Sequence, residues 1–219
     1  MNEGRATGGG RLLTFAAWSV LVLGLWLWGR EITGVPSPLT GQAGGSAAAG
    51  LPAAHAPLAA AAPARVDVPS MGIQAPVMAR DLDPQGAIDP PPYEQPGSVG
   101  WWRGGPQPGA AGTALMVGHV DTKSKPAVFY GLSSARSGDK VRVVRADGSV
   151  AEFTIEDVRV HERAGFDPDK AYGQRVKGRA ELRLVTCGGT YDKTIKQYTA
   201  NVVVSAYLTG VTVRPGTAA

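Results

Sequence analysis

DKVRVVRADGSVAEFTIEDVRVHE, residues 139–162, is the stretch that decides the fold class. Its β-branched and aromatic residues recur at short spacing. Phe153-Thr154-Ile155-Glu156-Asp157-Val158 alternates apolar and polar with the period of a half-buried strand, and 141–145 does so less regularly. Between the two runs stands Asp147-Gly148, a pair that tolerates positive φ and predicts a β-hairpin.

Working outward, the same grammar repeats on both sides. VDVPSMGIQAPVM (66–78), GTALMVGHV (112–120), ELRLVTC (181–187) and TANVVVSAYLT (199–209) all read as strands between turn signals. No stretch sustains helical periodicity, although residues 127–132 predict a short helix or 3₁₀ turn. There is no internal repeat. Several short strands in about 150 residues predict a mainly β domain over 65–214, closed or nearly closed into a barrel so that no edges stay exposed. Composition agrees: Gly 30 and Pro 17 favour turns, while 43% apolar residues can build a core. The net charge is +4 with Lys and Arg scattered, and this excludes a nucleic-acid-binding footprint.

The N-terminal part is different. LLTFAAWSVLVLGLWLW, residues 12–28, is free of charge for 17 residues, near the lower limit for crossing a bilayer. Trp26 and Trp28 suit a membrane interface, and Arg5 and Arg11 on the near side favour a cytoplasmic N-terminus (1–11) with the remainder exported. The expectation is an uncleaved signal-anchor over 12–29; a cleaved signal peptide is the competing reading. Residues 30–64 are rich in Ala, Gly and Pro, with too few large apolar side chains to offset ordering entropy, and predict a flexible linker. His55 stands alone there and carries no expected function. Residues 215–219 form a tail.

One cysteine, Cys187, rules out an internal disulfide and any multi-cysteine metal site. It ends an apolar run and is followed by Gly188-Gly189, so a strand would fix the sulfur while a turn admits a ligand. His119 also ends an apolar run, after Gly118. A thiol needs a base or a cationic neighbour to become a nucleophile, and an imidazole can take its proton and return one to a leaving amine. His161 lies within a strand and predicts a surface role. A zinc site from His119, His161 and Cys187 is the metal-binding alternative, disfavoured because the histidines lack close spacing and no second thiol exists. No acidic cluster predicts Ca²⁺. No cofactor is expected.

These motifs resemble the sortase family. Val117-Gly118-His119-Val120-Asp121 is similar to its histidine segment and Leu184-Val185-Thr186-Cys187 to its cysteine segment. Cys187-Gly188-Gly189, downstream Tyr198 and Asn201-Val202-Val203-Val204, the run from Val99 through Trp101-Trp102 to Gly109, and Pro126-Ala127-Val128-Phe129-Tyr130 resemble the class F (sortase E/F-type) branch of actinobacteria. The resemblance spans roughly 65–208. It implies an eight-stranded β-barrel and a cysteine transpeptidase. Cys187 would attack the Thr–Gly amide of an LPxTG-like sorting signal on an exported protein and form a thioester. An amine of a peptidoglycan precursor or a pilin would then resolve it, with His119 moving the protons.

The chain departs from that pattern once. The family usually places an arginine near the start of the strand after the cysteine loop, yet residues 193–201, KTIKQYTAN, contain none. Lys196, Arg183 and Asn201 are the candidates for its oxyanion or substrate-positioning role. Residues 162–178 are expected to border a substrate groove, with Phe166 and Tyr172 as its wall or as a satellite apolar cluster; Trp101 and Trp102 read first as core. The missing arginine leaves a second reading, a catalytically impaired barrel kept as a binding or scaffolding module. A third is an unrelated thiol hydrolase.

Overall fold

The computed structural model describes residues 50–213. The expected anchor at 12–29, the linker's first part and the tail lie outside them. Among the described residues no helix is long and apolar enough to cross a membrane.

Eight strands close into one barrel: β1 (Pro63–Val68), β2 (Ile73–Arg80), β3 (Val99–Trp102), β4 (Gly112–Val117), β5 (Lys140–Arg145), β6 (Ser149–Glu162), β7 (Ala180–Asp192) and β8 (Gln197–Val213). Around the barrel the order is β1-β2-β3-β4-β7-β8-β6-β5. Two pairings are parallel, β2 with β3 and β4 with β7; the others are antiparallel. Closure removes every sheet edge. Inward residues of successive strands fill the interior, among them Val66, Met116, Val143, Phe153, Leu182, Leu184, Val204 and Leu208, all fully buried. The expected turn near 127–132 is a 3₁₀ turn at Leu132–Ser134, and Leu132 and Phe129 drop into the core.

The β5–β6 hairpin forms where Asp147-Gly148 predicted it. Only Gly148 takes positive φ (80°), with its N–H donated to the Arg145 carbonyl at 3.0 Å, while the Asp147 carboxylate accepts from the Ser149 N–H at 3.0 Å. Two segments differ from expectation. Strand β3, only four residues long, did not stand out as a run of its own. The last part of the expected linker lies on the barrel: the His55 N–H donates to Leu208 O at 2.8 Å, the Tyr207 hydroxyl to Pro52 O at 2.5 Å, Arg145 reaches Ala59 O, and Leu58 packs on the core. Leu58 supplies the apolar anchor there. Pro52, Pro57 and Pro63 lower the entropy lost on ordering.

Candidate functional site

Strands β4 and β7 run side by side with Val117 opposite Val185. That register continues past the end of β4: the Gly118 N–H donates to Val185 O at 3.1 Å, and the Thr186 hydroxyl donates to Gly118 O at 2.8 Å. His119 follows Gly118 just past the end of β4, and Cys187 follows Thr186 on β7. Both residues line one cleft of about 920 Å³ on the outer face of the barrel.

The cleft follows from the strand period. Ala114 and Met116 point into the core, so Thr113, Leu115 and Val117 point out and, with Val185, make an apolar floor. Residues 82–93 of the β2–β3 connection and Trp102 form one wall. The connection is clamped at its base, where Arg80 pairs with Asp89. Opposite stands the β6–β7 connection with Arg163, Phe166 and the short helix α1 (Pro168–Tyr172). Asp167 caps α1 by accepting from the Asp169 and Lys170 N–H groups. Phe166 and Tyr172 pack on Ala171, Val185 and Val203, so they are at once the groove wall and a satellite cluster. Burial pushes the Tyr172 hydroxyl up to about 12. Trp101 is core, whereas Trp102 faces the cleft.

His119 is 8% exposed. Its Nε2 lies 2.7 Å from Pro91 O, and its ring stacks on Tyr93 with centroids 4.3 Å apart and planes inclined by 18°. A carbonyl only accepts, so Nε2 carries a proton and Nδ1 is the nitrogen left to exchange one. Neither Pro91 nor Tyr93 figured in the sequence reading; both sit in a proline-rich loop with no strand or helix signal.

Cys187 does not end its strand. Strand β7 continues to Asp192, and the two glycines form an irregularity in its pairing with β8, with Gly189 at φ 75°. The sulfur therefore sits just before a bulge, a place where side chains are re-aimed. Burial raises the thiol pKa, the Arg163 guanidinium lowers it and the Asp121 carboxylate raises it, with a net upward shift. Asp121 also accepts a hydrogen bond from Tyr198, and this holds that phenol up at about 12.

The three candidates for the missing arginine separate clearly. Asn201 pairs directly with Cys187 across β7–β8 and lines the cleft. Arg183 shares the strand face of Cys187, as expected, but is wholly buried beneath the β6–β7 connection, bonded to Glu181 at 2.7 Å and Gly173 O at 2.8 Å. It does not reach the cleft; the unforeseen partner was Glu181. Lys196 lies in the β7–β8 turn at φ 53°, beyond the Asp192–Gln197 pair and roughly 15 Å along the hairpin from Cys187. A residue the sequence reading missed, Arg163, stands at the cleft instead. His161 packs edge-on to Phe166, and among the described residues no group of three or more His, Cys, Asp or Glu side chains could hold a metal ion, which leaves the zinc alternative without a site.

A closed barrel that brings a thiol and an imidazole to one end of an apolar cleft has the layout of a cysteine-dependent acyl-transfer enzyme. The sortase domain family matches residues 66–209, and the chain belongs to that family, which implies a cysteine transpeptidase. Solved structures agree on the fold. Sortase C-1 from Actinomyces oris is 18% identical, with 67% of this chain and 73% of that one covered and a TM-score of 0.51. Sortase C-3 from Streptococcus pneumoniae is 19% identical, covering 71% and 67%, with a TM-score of 0.52. Sortase C1 from Streptococcus agalactiae is 19% identical, covering 67% of each chain, with a TM-score of 0.51. No curated protein matches the chain by sequence.

Proposed function

We propose that this protein is an exported sortase of the class F type, held at the membrane by residues 12–29, that cleaves an LPxTG-like signal and passes the acyl group to an amine. The observation that carries the reading is that His119, just past β4, and Cys187 on β7 line one cleft with an apolar floor. The Nδ1 atom of His119 takes the Cys187 proton, the sulfur attacks the Thr carbonyl, and the imidazolium protonates the departing glycine amine. In the second half an amine from a peptidoglycan precursor or a pilin gives up its proton to His119 and releases the thioester. The apolar floor suits the leucine end of such a signal. A catalytically impaired binding barrel is the second reading, and its only motive is the absent β8 arginine.

Purified full-length protein is expected to cleave a quenched LPxTG-type peptide and to form the amide product when an amine is added. Cys187→Ala should abolish both reactions without changing the thermal unfolding midpoint. Undiminished turnover in Cys187→Ala would falsify the nucleophile assignment.

A further inference from the structure

The cleft lacks an arginine on β8, but it does not lack a guanidinium. On its far side β8 pairs with β6, with His161 opposite Asn201 and Glu162 opposite Ala200. Residues directly opposite in antiparallel strands share a face. Cys187, Asn201 and His161 therefore look the same way, and two residues along, Arg163 and Thr199 do so as well. The Arg163 N–H donates to Thr199 O at 2.9 Å, which extends the ladder one step past the end of β6. Arg163 thus sits beside the very stretch, 193–201, that contains no arginine.

Its side chain is also unengaged. Arg159, Arg175, Arg179 and Arg183, the other arginines of β6, β7 and their connection, are each tied to a carboxylate at 3.1, 2.9, 2.8 and 2.7 Å respectively. Arg163 has no carboxylate partner among the described residues, is exposed, and lines the cleft with Cys187 and His119. Two strand spacings sideways and two residues along, roughly 12 Å in all, separate its backbone from that of Cys187. An extended arginine side chain covers about half of that gap, and the Cys187 side chain with a substrate carbonyl bonded to its sulfur covers the rest. The charge of Arg163 is felt at the thiol, where it works against the effect of burial.

We propose that Arg163, delivered from β6 rather than β8, is the catalytic residue that holds the scissile carbonyl oxygen and the oxyanion formed on it. The inference rests on the transpeptidase reading above. As the C–S bond forms, the carbonyl π pair moves onto oxygen, and two N–H groups of the planar guanidinium receive it. Collapse returns that pair, breaks the C–N bond and sends the amine away with the proton from His119. Asn201, opposite Cys187, is placed to add a neutral donor.

The test compares Arg163→Ala, Arg163→Lys and the double variant Arg163→Ala/Thr199→Arg in the full-length protein. Arg163→Ala should lower kcat about 100-fold with a much smaller change in KM. Lysine should recover only part of this, because a point charge replaces a two-point fork. Thr199→Arg should restore at least about tenfold over Arg163→Ala, because position 199 faces the same edge. A kcat within about threefold of wild type in Arg163→Ala overturns the proposal, as does an equal loss in KM alone. If the wild-type chain turns over no sorting peptide, the transpeptidase reading fails by itself. The placement of Arg163 is then read from the pH dependence of Cys187 alkylation by iodoacetamide. Arg163→Ala should move the thiol titration to higher pH; an unchanged titration overturns the placement.

Discussion

At the residue scale the site is organised around what each group is prevented from doing. Burial raises the Cys187 thiol pKa, so in the proposed mechanism ionisation comes from His119 at the moment of attack rather than from a standing thiolate. His119 in turn is prevented from turning: the Pro91 carbonyl holds Nε2 and Tyr93 covers one face of the ring. That stack is expected to matter for turnover more than for folding, because Tyr93 is 66% exposed. Tyr93→Ala should lower kcat about three- to tenfold, the loss of one aromatic stack, and leave the unfolding midpoint nearly unchanged. Steady-state kinetics paired with thermal unfolding checks both halves.

At the element scale the informative piece is the irregularity after Cys187. Gly188-Gly189 looks like a turn in sequence because both are glycines after an apolar run. The strand continues instead, and Gly189 absorbs a left-handed φ that lets β7 stay paired with β8 to Asp192. Gly189→Ala is expected to cost about 1–2 kcal/mol in urea unfolding through that φ alone, and to reduce turnover as the sulfur is re-aimed. Seven strands overlap the five runs visible in the sequence, since alternation and the Asp147-Gly148 turn are local signals. Strand β3 is four residues beside prolines, too short for a period to show. His119, Cys187 and Asn201, which line the cleft, were singled out by motif and by their place beside apolar runs, although Cys187 proved to lie inside β7. Arg163, Pro91 and Tyr93 were not, because only the pairing of β6 with β8 and the folding-back of residues 82–93 bring them to the cleft. Arg183 misled for the same reason: its strand face is readable from parity, its cover is not.

At the scale of the whole molecule, a buried ion network stands behind the β6–β7 wall. Glu181 and Arg183 are both fully buried. Burial by itself would raise the Glu181 pKa; hydrogen bonds from the Arg175 N–H, the Arg183 guanidinium and the Val176 N–H hold it below its ordinary value. A depressed carboxylate pKa contributes stability above the unfolded value, and that contribution is lost as pH falls through the folded one. Glu181→Gln should therefore cost about 3 kcal/mol at pH 7, since it strands the Arg183 charge. The variant should also flatten the acid dependence: the wild-type urea midpoint is expected to fall more steeply between about pH 5 and pH 3. A wild type and variant with parallel acid dependence would show that this carboxylate does not control acid unfolding.

The parallel pairing of β4 with β7 carries one more consequence, and it concerns time. Thr186 meets Gly118 across 68 positions of chain, and β5 and β6 are made in between. Contacts of such long range form late and slowly. A chain emerging from its N-terminus has the imidazole long before it has the thiol, and neither is seated until β7 inserts between β4 and β8. The cleft that holds both residues is therefore among the last features this protein completes as it folds, and unfinished copies carry the cysteine apart from the imidazole.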